Sequence, residues 1–509
     1  MPDEETEAVV AAGAAEPPFV LALDVGTSGV RAAFYDSRAR EVCGTAARAA
    51  RAFCTTADGG SEADAEESVE AVARLMDEAL ARAPSEVSAR AASLVVSCFW
   101  HSLVGVSTAG RALTPVYGWA DTRAAAQARA LGREFDERET HARTGCRFHP
   151  SYWPAKLLWL REERPRLWRE SARWVSFGEL LTERLCGAAR ASVSMASGTG
   201  LFDQRALGWD APLVAALGLR PEQLPPLARR GETLALAGEF AARWPALGGA
   251  RVFPSVADGA ANNVGEGCTS RSRVALMVGT SGAMRVAYEG GPPARLDPGL
   301  WCYRVDERRA LTGGALSDGG GLYAWMKETL AVAGGAEELE RSVAALAPDA
   351  HGLTVLPFWS GERSTGWHGS AAGALLGLRA HTRPAEIMRA ALEAVAYRFA
   401  RVAGALEEHA PGAEVRASGG ALRASRTWTQ IIADVLGRPV RLSRVREASS
   451  RGAVLLALEA TGAIQNVSDL DAPPGATVEP DPARHAVYRR GLERQQKLYD
   501  LLIDNPQLV

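Results

Sequence analysis

The pentapeptide Val-Gly-Thr-Ser-Gly occurs twice in this chain, at Val25–Gly29 and at Val278–Gly282. Each copy follows an apolar run, Phe19–Val25 or Val274–Val278, and leads into a second extended run. This pattern predicts a duplicated fold with one glycine-rich hairpin in each half. Glycine-rich turns leave backbone N–H groups free, and such groups bind phosphate oxygens. Two hairpins that face each other across a cleft would suit a nucleotide-dependent phosphotransferase.

Length and charge restrict the class of protein. A chain of 509 residues is too long for one core and predicts two domains. The formal net charge of −3 and the pI of about 6.3 argue against a nucleic-acid partner and an anionic membrane. The sequence contains no run of about 18 apolar residues, so it predicts no transmembrane helix. The sequence leaves a homodimer open.

The first 18 residues have a distinctive composition. Residues 1–18 carry five acidic side chains and no Lys or Arg, and they end in Pro17–Pro18, so we expect a disordered acidic leader.

The seven cysteines are scattered and form no Cys-x-x-Cys pair. This arrangement predicts neither a disulfide framework nor a zinc site, and it favours the reducing cytoplasm.

Apolar patterns along the chain alternate between the strand and the helix period, which indicates an α/β protein. Leu219–Leu247 is rich in Pro and Gly and is expected to be loop-like. The other predicted elements are strands at Ala91–Phe99, Ala413–Ala417 and Val440–Leu442, and helices at Ala65–Ala81, Ser449–Ala460 and Ala483–Ile503.

Two longer motifs give a resemblance to a known family. Lys156-Leu-Leu-Trp-Leu-Arg-Glu-Glu163, and Gly373-Ala-Leu-Leu-Gly-Leu378 followed by Glu386–Glu393, resemble the two signatures of the FGGY carbohydrate kinases. The resemblance runs from about Val20 to about Gly462. It implies two ribonuclease-H-like domains of the actin and hexokinase ATPase type, with a cleft between them. We expect residues 19–270 to carry the sugar side and the catalytic base, and residues 271–509 the nucleotide side.

Shorter motifs within the family are most similar to those of gluconokinases. They are Trp100-His-Ser102, Gly118-Trp-Ala-Asp-Thr-Arg123, Thr144-Gly145 with Phe148-His-Pro150, and Ser255-Val-Ala-Asp-Gly259. The resemblance implies phosphorylation of gluconate with ATP and Mg²⁺. A kinase for another ketose or polyol (xylulose, ribulose or erythritol) and a non-catalytic sugar or nucleotide sensor stay open. Thr365, His368 and Ala372 depart from the family pattern and leave the exact acceptor in doubt.

Asp24 stands at the end of the first strand, beside the first glycine-rich turn. We expect it to hold Mg²⁺ through water, because Mg²⁺ keeps part of its hydration shell and prefers one or two carboxylates with phosphate oxygens. A turn-capping aspartate that accepts hydrogen bonds from the amides of Gly26–Ser28 is the structural alternative.

Asp258 precedes the short stretch Gly259–Ala261, at a predicted strand-to-helix junction. An aspartate within hydrogen-bond reach of a sugar hydroxyl can take its proton as the new O–P bond forms. A simple helix N-cap is the structural alternative for an Asp at this place. The family resemblance implies the role of general base.

The predicted nucleotide site consists of short hydroxyl side chains and glycines. Arg31 either supports this site or is a solvated strand residue. By resemblance, the two glycines after Ser418 border adenosine, and a further glycine pair borders the same site. The predicted nucleotide-binding residues are Gly26, Thr27, Ser28, Gly279, Thr280, Ser281, Gly313, Gly314, Gly419 and Gly420.

The predicted sugar site combines rings for C–H faces with groups that bind hydroxyls. Its residues are Trp100, His101, Trp119, Asp121, Arg123, His149 and the base Asp258. A gluconate carboxylate also needs a cation. Arg123, Lys156 and Arg363 are the candidates, and the sequence does not choose among them.

Overall fold

The structure is a computed structural model that describes residues 8–330 and 335–505. Its strands are β1 (Val9–Val10), β2 (Phe19–Val25), β3 (Gly29–Tyr35), β4 (Glu41–Val42), β5 (Ala47–Ala50), β6 (Cys54–Thr55), β7 (Ser61–Ala63), β8 (Ala91–Cys98), β9 (Val104–Val106), β10 (Val116–Tyr117), β11 (Arg173–Val175), β12 (Phe202–Asp203), β13 (Gly208–Trp209), β14 (Arg251–Val252), β15 (Val256–Ala257), β16 (Arg273–Val278), β17 (Gly282–Glu289), β18 (Trp301–Arg304), β19 (Arg309–Leu316), β20 (Thr354–Leu356), β21 (Ala374–Leu376), β22 (Glu414–Ser418), β23 (Val440–Ser443) and β24 (Pro474–Val478).

The α-helices are α1 (Ala65–Arg82), α2 (Ser85–Ser88), α3 (Ala125–Glu134), α4 (Glu137–Thr144), α5 (Trp153–Glu163), α6 (Pro165–Glu170), α7 (Phe177–Cys186), α8 (Val193–Ser197), α9 (Ala211–Ala216), α10 (Gly238–Arg243), α11 (Asp258–Gly265), α12 (Gly320–Thr329), α13 (Ala336–Ala344), α14 (Pro384–Leu406), α15 (Gly420–Ala424), α16 (Arg426–Leu436), α17 (Ala448–Ala460) and α18 (Pro482–Leu502). None of the described helices is long and apolar enough to cross a membrane.

Two large mixed sheets repeat one plan. The first has the order β1-β4-β3-β2-β8-β14, and the second has the order β18-β19-β17-β16-β22-β23-β24. In the first, β2 pairs antiparallel with β3 through the first glycine-rich turn and parallel with β8 on its other side. In the second, β16 pairs antiparallel with β17 and parallel with β22. The predicted duplication and its two hairpins are therefore confirmed.

The buried strands explain why the sheets form where they do. Every residue of β2 except Asp24 is buried, because helices or loops cover both faces of this central strand. A run that is apolar on both faces fits such a strand, whereas a half-exposed strand would alternate. Asp24 is the one polar residue in this apolar run and stands near the C-terminal end of β2. It therefore lies at the edge of the sheet where ligands bind in α/β proteins.

Most predicted elements are confirmed within a residue or two. The predicted helix at Ala65–Ala81 is α1, whose N-cap Asp64 accepts a hydrogen bond from the amide of Glu67. The predicted strand at Ala91–Phe99 is β8 and the predicted final helix is α18. The region 219–247 is less irregular than expected, because it holds α10 and two short 3₁₀ turns.

The expectation of a disordered leader at residues 1–18 is wrong for residues 8–18. Val9 and Val10 pair in parallel with Glu41 and Val42, and Val10 is buried against the first core. The hydrogen bonds of this added edge strand and the burial of one valine offset the entropy cost of ordering the segment. The rest of the expected leader, Met1–Glu7, lies outside the described residues.

Helices α11 and α17 pack in close contact with each other, α17 against β2 and β8 of the first sheet and α11 also against β17 of the second. A Cβ atom on Gly452 would lie 1.8 Å from the backbone oxygen of Ala261, and one on Gly265 would lie 1.9 Å from that of Ala448. The core of the first sheet also takes residues such as Val454, from α17, in the second half of the chain. The predicted domain boundary at residue 270 therefore does not fully separate the two hydrophobic cores, because the first core includes residues from beyond it.

We expect Gly452→Ala to lower the free energy of unfolding by about 1–3 kcal/mol, because the new methyl group overlaps a backbone oxygen that cannot rotate away. Gly404→Ala in α14 is the matched control, since a Cβ there meets nothing within 4 Å. The control should raise stability by about 0.5–1 kcal/mol through helix propensity. Urea unfolding measures both, and equal effects of the two variants would contradict the tight crossing.

Candidate active site

The two glycine-rich turns line a single cleft of about 390 Å³ between the sheets. The first turn closes through its own backbone, as the amide of Gly26 donates to the oxygen of Gly29 at 2.9 Å. The second closes in a similar way, from the amide of Gly279 to the oxygen of Ser281 at 2.9 Å. The side chains and remaining amides of both turns face the same space, as a phosphate chain would require.

Glycines outside the turns support the second turn by close approach. The amide of Gly320 donates to the oxygen of Gly279 at 2.8 Å, and a Cβ on Gly320 would lie 2.6 Å from that oxygen. Gly419 has a φ of +109°, and a Cβ there would lie 2.2 Å from the oxygen of Val278. Gly419 and Gly420 both line the cleft, next to the second turn.

The other predicted glycine pair lies elsewhere. Gly313 and Gly314 are internal to β19, opposite Arg285 and Met284 of β17. A Cβ on Gly313 would lie 2.6 Å from the backbone oxygen of Met284, and one on Gly314 would lie 2.7 Å from Val402. These glycines serve strand and helix packing, and the described lining of the cleft does not include them. Their expected place beside the nucleotide stays a prediction that this packing does not support.

Asp24 lies in the cleft, beside the first turn. Burial raises the pKa of its carboxyl group to about 7, and the negative charges of Asp258 and Glu447 act in the same direction, while the Ser97 hydroxyl and Arg31 oppose them. A carboxylate held near two others favours a cation, which would compensate their charge. The residues present therefore fit a divalent metal ion better than a turn cap.

Asp258 is the first residue of α11 and also lines the cleft. The N-cap of the helix is Ala257, so Asp258 does not have the capping role of the structural alternative. Its Oδ1 accepts a hydrogen bond from the amide of Gly259 at 2.7 Å. Burial raises the pKa of this carboxyl group, and the charge of Arg285 opposes the rise. A raised pKa makes a carboxylate a stronger base.

Arg285 is a cleft residue that the sequence analysis missed. It extends from β17, and its Nη1 donates to the backbone oxygen of Gly259 at 2.5 Å, so it joins the second sheet to the start of α11, where Asp258 lies. Burial lowers the pKa of its guanidinium to about 10. The signal in the sequence was an arginine inside an otherwise apolar strand, since charged residues are rarely buried without a partner.

Aromatic rings form the wall of the cleft nearest to Asp258. The rings of Trp301 and Tyr303 stack at 4.1 Å, and the Tyr303 hydroxyl lies 2.6 Å from that of Tyr152. The sequence analysis found Trp100 and Trp119, and it missed Trp301, Tyr303 and Trp367 because these come from segments distant in sequence. The aromatic residues that line the cleft are Phe99, Trp100, Trp119, Tyr152, Trp301, Tyr303 and Trp367.

The two histidines are both buried and neutral, since burial lowers the pKa of each to about 3. His101 lines the cleft, and its Nδ1 donates to the backbone oxygen of Gly198 at 2.5 Å, which leaves Nε2 as an acceptor. His149 lies behind the lining, with its Nδ1 3.0 Å from the Ser151 hydroxyl and its ring 5.7 Å from that of Trp367.

Asp121 and Arg123 are paired with each other, and the described cleft lining includes neither. Nη2 of Arg123 lies 2.5 Å from Asp121 Oδ2 and 2.7 Å from Glu62 Oε2. The guanidinium also lies 5.0 Å from the ring centre of Trp159. Two carboxylates already pair with this arginine, and direct contact of Asp121 and Arg123 with the sugar stays a prediction.

Arg363 is the candidate cation that does line the cleft. Its Nη2 donates to the backbone oxygen of Leu316 at 2.8 Å, and its guanidinium lies 4.4 Å from the ring centre of Trp119. Nε of Arg363 is buried and has no hydrogen-bond partner among the described residues. Lys156, by contrast, donates to the backbone oxygens of Ser151 at 2.5 Å and His101 at 3.2 Å and has a structural role.

Sequence comparison adds to this geometry. Residues 19–265 match the N-terminal domain of the FGGY family of carbohydrate kinases, and residues 274–461 match its C-terminal domain. The chain belongs to the FGGY family of carbohydrate kinases. It is therefore a sugar kinase with the two-domain fold of the actin and hexokinase ATPases, and ATP is the phosphoryl donor that the family uses.

Relatives with different acceptors resemble this FGGY kinase. It is 27% identical to a gluconokinase from Bacillus subtilis (strain 168) over 391 residues, which cover 73% of this chain and 75% of the relative. It is 32% identical to a glycerol kinase from Trichlorobacter lovleyi over 478 residues, 89% of this chain and 92% of the relative. The crystal structure of a gluconate kinase from Lactobacillus acidophilus superposes with a TM-score of 0.86 at 25% identity and covers 95% of this chain and 98% of that one.

The buried Lys156 predicts a pH-dependent stability. Burial lowers the pKa of its ammonium group from 10.5 to about 7. Between these two values the unfolded chain holds one proton more than the folded protein, so stability rises with pH in this window. We expect the free energy of unfolding to rise by about 1–2 kcal/mol between pH 7.5 and 9, and Lys156→Met to remove this rise.

Urea unfolding at the two pH values measures the effect as a difference between wild type and variant. Lys497→Met is the matched control, because Lys497 is exposed on α18. The control should keep the wild-type pH dependence. An unchanged pH dependence in Lys156→Met would show that the ammonium group is not held in its neutral form.

Proposed function

We propose that this kinase transfers the terminal phosphoryl group of ATP to a hydroxyl of gluconate. The observation that carries the proposal is Arg363, a guanidinium in the cleft whose charge acts on the carboxyl group of Asp258. A sugar acid needs such a cation for its carboxylate, and an uncharged polyol would leave it unpaired. The gluconokinase relative and the short motifs shared with gluconokinases support the same acceptor.

On the nucleotide side, the two turns supply amides and hydroxyls to the phosphates, and Gly419 and Gly420 let the backbone approach adenosine. Asp24 would hold Mg²⁺, which neutralises charge on the phosphates when it is bound. Glu447 and Asp258 lie close enough to raise the pKa of Asp24, so they add to the negative field that attracts the ion. Such kinases act where ATP is made, and we propose the cytoplasm.

On the sugar side, Asp258 accepts the proton of the attacking hydroxyl as the new O–P bond forms, a contribution of about 10²–10⁴ in rate. Arg285 holds the carbonyl of Gly259 and thereby fixes the position of Asp258. The aromatic wall covers the C–H faces of the sugar, and His101 accepts a hydrogen bond from one of its hydroxyls through Nε2. Exclusion of water from this space favours transfer to the sugar over hydrolysis of ATP.

An uncharged polyol or ketose is the second candidate acceptor, favoured by the glycerol kinase relative at 32% identity. The departures from the family pattern do not decide between the two. Thr365 lies 3.5 Å from Nη2 of Arg398, His368 Nε2 lies 3.1 Å from Asp504, and Ala372 is exposed. None of these three residues belongs to the described lining of the cleft.

A coupled ADP-release assay with ATP and Mg²⁺ tests the acceptor against gluconate, xylulose, ribulose, glycerol and erythritol. We expect turnover on gluconate to exceed turnover on every other acceptor. A higher kcat/KM on one of the others would keep the kinase and reject gluconate. No turnover on any of them, with ATP still bound, would favour an untested sugar or a sensor.

Asp258→Asn should lower kcat at least about a hundredfold and leave nucleotide affinity nearly unchanged, because only the base is removed. Steady-state kinetics and calorimetric titration of the nucleotide measure the two quantities. Asp64→Asn, a substitution between two good N-cap residues of α1, is the control and should leave kcat unchanged. Retained turnover in Asp258→Asn would place the base elsewhere.

Arg363→Gln should raise the KM for gluconate at least about tenfold, the equivalent of a lost charged hydrogen bond, and change the KM for erythritol much less. Arg123→Gln is the comparison variant, because its guanidinium binds Asp121 and Glu62. It should affect both acceptors to a similar extent. A gluconate-selective effect of Arg123→Gln, and none of Arg363→Gln, would reverse the assignment.

A further inference from the structure

Two side chains reach the cleft from one irregular loop, residues 361–367, which we call the cleft loop. Arg363 and Trp367 both line the cleft. None of the described helices and strands includes any part of this loop. Secondary structure therefore does not fix the direction of these two side chains, and the contacts of the loop with its neighbours have to do so.

The middle of the cleft loop is bound to β19 of the second sheet. The amide of Ser364 donates to the oxygen of Ala315 at 3.0 Å, and the amide of Ala315 donates to Oγ of Ser364 at 3.0 Å. Trp367 has a φ of +63°, in the left-handed region that residues other than glycine seldom adopt. Such a conformation persists only where the surrounding contacts hold it, so the shape of the loop is imposed by its neighbours.

Glu362 anchors the side of the cleft loop that faces away from the cleft. This residue is 2% exposed, and the described lining of the cleft does not include it. Its Oε2 accepts a hydrogen bond from the Tyr499 hydroxyl at 2.6 Å, and its Oε1 accepts one from Nη2 of Arg398. A Cβ on Gly366 would lie 1.8 Å from the Tyr499 hydroxyl, so the loop backbone passes directly against this group. A buried carboxylate needs such partners, and the loss of one leaves an oxygen unpaired.

The two partners of Glu362 come from two long helices, Arg398 from α14 and Tyr499 from α18. The guanidinium of Arg398 lies 4.8 Å from the ring centre of Tyr499, and the ring of Phe358 lies 5.8 Å from the same ring in a small core. Gln495, one turn earlier on α18, donates to backbone oxygens of β20 and α14 at 2.9 and 3.2 Å. Tyr499 is therefore held rigidly where it binds the loop.

We propose that Tyr499 is a positioning residue for the acceptor, because it holds Arg363 in place through Glu362. The inference rests on the function proposed above, in which Arg363 binds the carboxylate of the acceptor. Glu362 and Arg363 are consecutive, and their side chains leave the backbone toward opposite sides, so a rotation at Glu362 turns Arg363 as well. A guanidinium binds a carboxylate in a bidentate way only from a narrow range of directions.

Helix α18 thereby contributes to acceptor selection without reaching the acceptor. The described lining of the cleft includes no residue of this helix. Its residues, Pro482–Leu502, also follow the segment that matches the C-terminal domain of the family, residues 274–461. The link through Glu362 is the direct connection that the described contacts give between Tyr499 and the cleft loop.

Tyr499→Phe removes one hydroxyl and keeps the ring in its small core. We expect this variant to raise the KM for gluconate about three- to tenfold, because a displaced Arg363 binds the carboxylate less well. The kcat and the affinity for a non-hydrolysable ATP analogue should stay within about twofold, since Asp258 and the two glycine-rich turns are untouched. Steady-state kinetics and calorimetric titration of the analogue measure these quantities on the full chain.

Tyr488→Phe is the matched control, because Tyr488 is a buried tyrosine of the same helix. Its hydroxyl accepts a hydrogen bond from Nη2 of Arg389 at 2.5 Å and has no described contact with the cleft loop. Both variants should lower the urea midpoint to a similar extent, and only Tyr499→Phe should change the KM for gluconate. An equal change of KM in the two variants would show a general loss of stability and would overturn the inference.

A double-mutant cycle separates positioning from an independent effect. In the background of Arg363→Gln, Tyr499→Phe should have little further effect on the KM for gluconate. Effects that multiply, or an unchanged KM in Tyr499→Phe alone, would overturn the inference and leave the role of Arg363 intact. An unchanged KM in Arg363→Gln would instead overturn the proposed function together with the inference. Glu362→Gln keeps the shape of the linking side chain and should give the same selective rise in KM, which provides a second variant if Tyr499→Phe folds poorly.

Discussion

The contact between α11 and α17 is the constraint on which the active site depends. Two glycines, Gly265 and Gly452, let the helices approach until backbone touches backbone, which a side chain at either position would prevent. Both helices begin at the cleft, α11 with Asp258 and α17 directly after Glu447. Their close crossing therefore fixes the distance between the proposed base and the carboxylates around Asp24. A looser crossing would separate groups whose charges now act on one another.

The charged side chains around Asp258 in the cleft come from both halves of the chain and compensate one another. Asp24 and Asp258 belong to the first half, and both have a raised pKa because burial disfavours their ionised forms. Arg285 and Arg363, which oppose the rise at Asp258, come from the second half. Arg285 is buried and Arg363 is partly buried, and the carboxylate of Asp258 raises the lowered pKa of each. Each half therefore lowers the electrostatic cost of burying the charges of the other, which favours a closed cleft.

Local patterns in the sequence predicted the α/β class, the two hairpins and Asp24 beside the first of them, because each depends on a few consecutive residues. The two ribonuclease-H-like domains and the role of Asp258 were implied by the family resemblance. The strand before Asp24 and the duplicated turn needed no knowledge of distant contacts. Arg285, Tyr303 and Trp367 were missed, since they reach the cleft only through pairing and packing between distant segments. The sequence analysis also failed to predict that Val9 and Val10 form an ordered strand, because an acidic stretch can still add a short edge strand to an existing sheet.

The choice of the arginine that would bind the carboxylate of the acceptor illustrates the same limit of local sequence patterns. Arg123 stands in a motif typical of gluconokinases, yet it is bound by Asp121 and Glu62 and stacks on Trp159. The ion pairs of Arg123 support the wall of the proposed sugar site from behind, as Lys156 does by donating to the carbonyl oxygen of His101. Arg363 is separated from Arg123 by 240 positions, but its guanidinium lies over Trp119 of the same motif. A planar cation held on an aromatic ring keeps its edge N–H groups in a fixed direction, which is the geometry that recognition of a carboxylate needs.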